Sequence, residues 1–385
     1  MTDLLIAGGG IMGLWAAIMA DRAGLKTVLV ERDRIGAGAS GGVLGALMPY
    51  MPDRWDDKKQ FQFDALVSLE QEILGLEAQT GLSAGYRRSG RLMPLPKPHL
   101  RTIALRHEQD ALINWHQGDQ RFFWHVQDSP AAAGWPESDA MASGVVLDTL
   151  AARVDPRLLL AVLAKALRQS PRVRIEEGRA LIGLDPTAGK ATFSDGHSVS
   201  FGACILANGV DTFRHLDALE EKPATVSSGG AVKGQAAVLK ADLDPALPVI
   251  FMDGLYVVPH DNGLVAVGST SENSFADPLS NDHLLDQLLA RARAVVPLLR
   301  DASVIERWAG LRPKAIGRDP MTGRHPDHPG LYTLTGGFKI SFGLAHRLAA
   351  SVIGEMAGQR DEALPDSFRC ASHFSLLRAA EAGIA

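Results

Sequence analysis

LLIAGGGIMGLWAAIMADRAGLKTVLVE, residues 4–31, is the stretch on which the reading of the fold turns. Leu4-Leu5-Ile6-Ala7 is a short apolar run of the kind that forms a buried parallel strand, and Gly8, Gly9 and Gly10 end it abruptly. From Ile11 to Arg22 the residues Leu14, Ala17 and Ile18 recur at helical spacing, and Gly24 stands where a C-terminal cap is expected. Lys26-Thr27-Val28-Leu29-Val30 reads as a second strand, closed by Glu31. The order is strand, glycine turn, helix, strand, acid.

Within that frame the glycines have separate tasks. Gly8 makes the tight turn, Gly10 lets the backbone approach a pyrophosphate, and Gly13 allows close helix–strand packing. The helix begins at Ile11 and Met12, where unpaired N–H groups and the positive dipole end suit phosphate. Glu31, followed by Arg32, lies where a carboxylate can accept hydrogen bonds from both ribose hydroxyls of an adenosine, and an acid there disfavours a 2′-phosphate. The stretch predicts a dinucleotide-binding unit of the Rossmann type in an α/β chain.

The rest of the composition narrows the function. A chain of 385 residues implies two or three domains at about 150 residues each. With 46% hydrophobic and 22% charged residues it can bury a sizeable core, and a formal charge of −5 offers no electrostatic grip on nucleic acid or anionic lipid. A small-molecule ligand is expected instead. Cys204 and Cys370 make no disulfide framework and no CxxC spacing, and the histidines form no HExxH pattern, so no metal site is expected. The apolar residues 4–20 are preceded by Asp3 and interrupted by glycines, unlike a signal peptide, and no stretch has the length of a membrane span. A cytoplasmic location is expected.

Residues 38–42 (GASGG) fit the GxSxG pattern of a hydrolase nucleophile elbow, but no apolar strand runs into Ser40, so a loop around a ligand is the better reading. From residues 38–47 (GASGGVLGAL) onward the chain resembles the glycine oxidase and D-amino-acid oxidase family of FAD-dependent oxidoreductases. Residues 152–156 (ARVDP) are similar to the family's entry into a helix, residues 179–184 (RALIGL) to a strand at the adenine end, and residues 204–209 (CILANG) to the strand ending in A-T-G, with Asn208 in place of threonine. Residues 255–259 (LYVVP), 267–270 (VGST), 308–313 (WAGLRP) and 331–344 (LYTLTGGFKISFGL) extend the likeness in the family's order.

The resemblance implies a Rossmann-type FAD domain built from residues 1–84, 146–215 and 316–385, with a mostly antiparallel substrate domain from 85–145 and 216–315. Residues 94–98 (PLPKP) read as a boundary, and the alternating run of residues 231–271 reads as hairpins. The basic residues Arg87, Arg88 and Arg91 read as a solvated loop, and His260, beside the turn at Asp261-Asn262-Gly263, as a surface residue. His107, His116 and His125 are spaced so as to scatter on a helix.

For the site, the resemblance implies cofactor contacts from Gly8, Gly10, Ile11, Met12, Gly13, Glu31, Arg32, Ala39, Ser40, Gly42, Val43, Leu44, Leu181, Ala207, Gly209, Gly336, Gly337, Phe338, Lys339 and Ile340. The flavin is expected to be non-covalent, because no cysteine or suitably placed histidine accompanies these segments. A helix from about Leu344 would aim its positive end at the flavin. By sequence pattern Arg312 is equally a carboxylate clamp or an internal salt-bridge partner, and the resemblance implies the clamp. Tyr256 would help to hold the same carboxylate. Lys339 stands where glycine oxidases carry an arginine, and its point charge in place of a fork leaves open whether glycine is the substrate.

The expected reaction is oxidation of the C–N bond of a small amino acid or N-substituted amino acid, with dioxygen or an electron-transfer partner as the acceptor. An alternative in the same fold is a 2-hydroxy acid dehydrogenase, whose base would be a histidine; within the substrate strands His260 is the candidate. A non-catalytic FAD-binding module is a third reading.

Overall fold

In the strand Thr2–Ala7 side chains alternate between two cores. Leu4 and Ile6 enter one, Leu5 and Ala7 the other. Thr27–Val30 divides Leu29 from Val28 and Val30 in the same way, and Ser198–Leu206 divides Ile205 from Cys204 and Leu206. A strand covered on both faces needs apolar residues at every position, which is why residues 4–7 are an unbroken apolar run. The computed structural model describes residues 2–220 and 226–383.

These strands belong to an eight-stranded sheet. Its order runs Val173–Glu176, Thr27–Val30, Thr2–Ala7, Ser198–Leu206, Lys190–Phe193, Leu181–Asp185, with Leu331–Thr335 beside Ser198–Leu206 and Met321–Arg324 beside Leu331–Thr335. The pairings of Thr2–Ala7 with its two neighbours are parallel, and the strand Leu331–Thr335 also joins in parallel. The helices Ile11–Arg22, Asp57–Thr80, Pro156–Arg168 and Ser341–Met356 cover one face. Asp155 caps Pro156–Arg168 by accepting from the N–H groups of Arg157 and Leu158, so the VDP segment starts a helix as its sequence predicts. The helix Ser341–Met356 begins one turn before the predicted Leu344.

A second eight-stranded sheet has the order Ser303–Ala315, Gly229–Lys240, Leu264–Gly268, Leu255–His260, Val249–Met252, Arg91–Pro94, Val145–Asp148, Trp124–Gln127. All its pairings are antiparallel except that of Val249–Met252 with Arg91–Pro94. The longest ladder joins Gly229–Lys240 to Ser303–Ala315 and places Val232 opposite Arg312. The hairpin from Leu255–His260 to Leu264–Gly268 turns through Asn262 and Gly263, both left-handed, as an Asn-Gly pair permits.

Three expectations are corrected here. Arg91 is buried in its strand directly opposite Asp148, with Nε 2.6 Å from the carboxylate, and Arg88 is held by Glu70 and two backbone carbonyls, so of the basic triplet only Arg87 is well exposed. A charge opposite its partner in a ladder can be buried where a lone one cannot. Residues 94–98 link the strand Arg91–Pro94 to the helix Pro98–Asn114 and so lie inside the second sheet's territory instead of bounding it. His260 is buried, with its Nε2 3.2 Å from the Val43 carbonyl. Cys204 and Cys370 are both buried thiols, and burial pushes each up to about 12, where it is unreactive at neutral pH. No helix among the described residues is long and apolar enough to cross a membrane.

Candidate active site between two sheets

The glycine turn lies where the first sheet meets its helix layer. Gly8 has φ of +113°, and a Cβ there would stand 2.4 Å from the Ala207 carbonyl oxygen. A Cβ on Gly13 would come within 1.9 Å of the Gly8 oxygen, so this glycine seats the helix on the strand. Ser40, in the short turn Ala39–Gly41, accepts the Ile11 N–H at 3.0 Å and thereby completes the helix start from outside it. The Glu31 carboxylate accepts N–H groups from Gly9 at 2.7 Å and Asp33 at 3.0 Å, which staples the turn to the end of the second strand. Arg32 pairs with Asp211 at 2.7 Å.

A cavity of about 540 Å³ opens from this turn to the second sheet. Every cofactor-contact residue expected from sequence lines it except Gly13, which is spent on helix packing: Gly8, Gly10, Ile11, Met12, Glu31, Arg32, Ala39, Ser40, Gly42, Val43, Leu44, Leu181, Ala207, Gly209, Gly336, Gly337, Phe338, Lys339 and Ile340. Tyr256 and Arg312 line it from the second sheet. Met48, Gln62, Ala236 and Trp308 line it too and went unremarked in sequence as separate site residues. Trp308 lies within the WAGLRP segment and packs against the apolar cluster that holds Val43 and Ala236, so the motif did contain its signal.

Arg312 lies across the neighbouring strand. A Cβ at Gly234 would fall 2.0–2.1 Å from three atoms of its guanidinium, so only glycine leaves room for it. Its Nη1 donates to the Thr270 carbonyl at 3.2 Å, and among the described residues no carboxylate reaches it within ion-pair distance. Burial pushes it down to about 10, with Tyr256 and Glu272 acting in the opposite direction, and at neutral pH it keeps its charge.

Behind Thr270 lies a filled polar cluster. The Thr270 hydroxyl accepts the Gln235 N–H at 2.8 Å and donates to Glu272 at 2.5 Å. The Gln235 amide donates to Glu272 at 3.0 Å and Asp282 at 2.8 Å, and buried Lys233 sits 3.7 Å and 3.3 Å from those two acids. Glu272 is thus engaged by Lys233, Gln235 and Thr270 in place of Arg312.

Tyr256 packs against Phe251 with ring centroids 4.7 Å apart and planes tilted by 44°, and burial raises its hydroxyl while Arg91 and Arg312 oppose that, so it remains a donor. Lys339 belongs to the loop beside Arg312: Phe338 donates its N–H to the Pro313 carbonyl at 3.2 Å, and Lys314 bridges Gly337. Its side chain is solvent-exposed where it lines the cavity, and desolvation, then Arg312, lower its pKa. His260 does not line the cavity; His215 does, from the helix Asp211–Asp217 that holds the partner of Arg32. No histidine stands beside Arg312 and Tyr256 among the described residues, which leaves the hydroxy-acid alternative without its base.

A glycine oxidase of Pseudomonas aeruginosa is 27% identical over 369 residues, covering 92% of this chain and 95% of its own length. The glycine oxidase of Pseudomonas putida is 28% identical over 356 residues, covering 89% of this chain and 91% of its own. The crystal structure of glycine oxidase from Geobacillus kaustophilus superposes with a TM-score of 0.82 at 20% identity, covering 96% of this chain and 98% of that one. The model of the FAD dependent oxidoreductase family matches residues 3–351, and the chain therefore belongs to that family.

Proposed function

We propose that this FAD-dependent oxidoreductase oxidises the C–N bond of a small amino acid or N-substituted amino acid, held by its carboxylate on Arg312. The observation that carries the reading is a half-buried arginine facing the cavity with no carboxylate partner among the described residues. Such a group offers its free N–H donors to an anion from outside the protein. The relatives named glycine oxidase support the amino-acid class.

The cavity suits FAD held without a covalent bond. The Gly8 turn, closed to any Cβ, and the start of the helix Ile11–Arg22 would receive the pyrophosphate. Glu31 would accept the ribose hydroxyls, with Arg32, Leu181, Ala207 and Gly209 near the adenosine. Residues 39–44 and 336–340 would pass the flavin ring. Gly336 is left-handed, and a Cβ on Gly337 would meet Ser341 Oγ at 2.5 Å and Met12 Cε at 2.8 Å, so this loop can approach a flat ligand closely. The helix Ser341–Met356 follows at once with its positive end.

Arg312, oriented by the Thr270 carbonyl, presents its remaining N–H groups to the substrate carboxylate, and the Tyr256 hydroxyl donates to the same group. This fixes the α-carbon against the ring position while Leu44, Met48 and Trp308 exclude water. The chemistry that FAD supplies is acceptance of a hydride from the carbon that bears the neutral amine. Water then hydrolyses the imino acid to a keto acid and an amine. We further propose that residues 1–84, 146–215 and 316–385 form the cofactor domain and 85–145 and 216–315 the substrate domain, with the junction at 145/146 moved past the strand Val145–Asp148, which pairs in the second sheet.

Anaerobic mixing of the holoprotein with glycine, sarcosine, proline and D-amino acids tests the reading. Bleaching of the flavin band by at least one of them is expected, and reoxidation in air then separates an oxidase from a dehydrogenase. Failure of the whole panel overturns the amino-acid class.

A further inference from the structure

Building on the amino-acid reading of this cavity, we infer that the substrate carries two carboxylates, with Arg312 taking the one beside the reacting carbon and Lys339 the other. The second-sheet side of the cavity holds two cations brought together by backbone contacts. Phe338 donates its N–H to the carbonyl of Pro313, next to Arg312, at 3.2 Å, and Gly337 bridges Lys314. Both side chains line the cavity, and neither has a carboxylate within ion-pair distance among the described residues.

The acids that line the cavity are elsewhere and committed. Glu31 accepts from Gly9 and Asp33, and Asp33 and Asp211 both pair with Arg32. Glu272, the acid nearest Arg312, is engaged by Lys233, Gln235 and Thr270. The Lys339 ammonium lies over the Phe338 ring, 5.6 Å from its centroid, a weak partner.

A substrate with one carboxylate spends it on the Arg312 fork and Tyr256, and leaves the ammonium of Lys339 facing its like-charged neighbour. A dicarboxylic amino acid, or an amino acid N-substituted with a carboxymethyl group, brings two negative charges to two positive ones. Complementary charge selects for that class and against the monoanion. Lys339 is in this account a specificity-determining residue.

The test uses the FAD-loaded protein and matched pairs: D-aspartate against D-alanine, and iminodiacetate against sarcosine, titrated anaerobically for half-reduction of the flavin. Malonate against acetate, followed by perturbation of the flavin spectrum, reads binding without turnover. The wild type should favour the dianion of each pair by about tenfold or more. Lys339→Met should weaken dianion binding roughly ten- to a hundredfold more than monoanion binding, and Lys339→Arg should restore most of the preference.

Equal affinity for both classes in the wild type overturns the inference while leaving amino-acid oxidation standing. So does a Lys339→Met protein that loses both classes equally, which would assign the lysine to the cofactor or the fold. If no amino acid of either class bleaches the flavin and malonate binds no better than acetate, this inference and the reading beneath it both fall.

Discussion

Two places in the molecule use glycine to admit a neighbour closer than a side chain would allow, and they differ in what the neighbour is. At the turn after Ala7 the neighbour is backbone: the Ala207 carbonyl lies 2.4 Å from a Cβ at Gly8, and the Gly8 carbonyl 1.9 Å from one at Gly13. At Gly234 the neighbour is the free end of Arg312, 2.0–2.1 Å from the missing Cβ. Backbone at the centre of a sheet cannot retreat, whereas a guanidinium can swing. The first region should therefore fail as a fold and a cofactor seat, the second as a substrate seat alone.

The sharpest way to break this contrast is Gly8→Ala, which combines a disfavoured backbone angle with the clash against Ala207. Each contribution is about 1–3 kcal/mol, so the protein should be recovered largely without FAD and with a lowered Tm. A Gly8→Ala protein with normal FAD content would show that the turn has slack. Next in size is Glu31→Gln, since the amide must turn a donor toward the Gly9 or Asp33 N–H and loses the charge that would meet the ribose. FAD affinity should fall by about 1.5–3 kcal/mol, roughly ten- to a hundredfold in the dissociation constant. Undiminished affinity would remove Glu31 from the cofactor site.

Gly234→Ala sharpens the other half of the comparison. The Arg312 guanidinium must move by an ångström or so, and a displacement of that order is worth up to about a hundredfold in a positioned reaction. The variant should keep its FAD and its Tm but need far more substrate for half-reduction. Loss of FAD instead would mean that the two regions are one mechanical unit. The smallest effect expected is for Ser40→Ala, which removes the acceptor of the Ile11 N–H and should lower stability by about 0.5–2 kcal/mol, read in thermal unfolding.

The same contrast explains what could be read ahead of the structure. Residues 4–31 do their work on their neighbours in the chain: the turn, the helix it starts and the acid that ends the next strand follow one another, so spacing alone exposes them. The strand Ser303–Ala315 was legible at Arg312 through the WAGLRP resemblance. Its partner Gly234 was not, because that contact is made across a ladder to another strand.

Arg91 and His260 were misread for the same reason. An arginine in a Gly- and Ser-flanked segment looks solvated until Asp148 is set opposite it in the sheet, and a histidine beside a turn looks exposed until the Val43 carbonyl covers it. The cluster of Lys233, Gln235, Thr270, Glu272 and Asp282 is drawn from three segments with no shared motif, and only the fold assembles it.

The central claim is that Arg312 is kept unpaired for a substrate carboxylate, and anaerobic titration of Arg312→Leu tests it most directly. Truncating one member of a buried charge pair is worth about 2–5 kcal/mol, or on the order of thirtyfold to a few thousandfold in affinity. The variant should bind FAD with a normal visible spectrum and require that much more amino acid for half-reduction of the flavin. Half-reduction at the wild-type concentration, or loss of folding and FAD before any change in substrate dependence, would contradict the account.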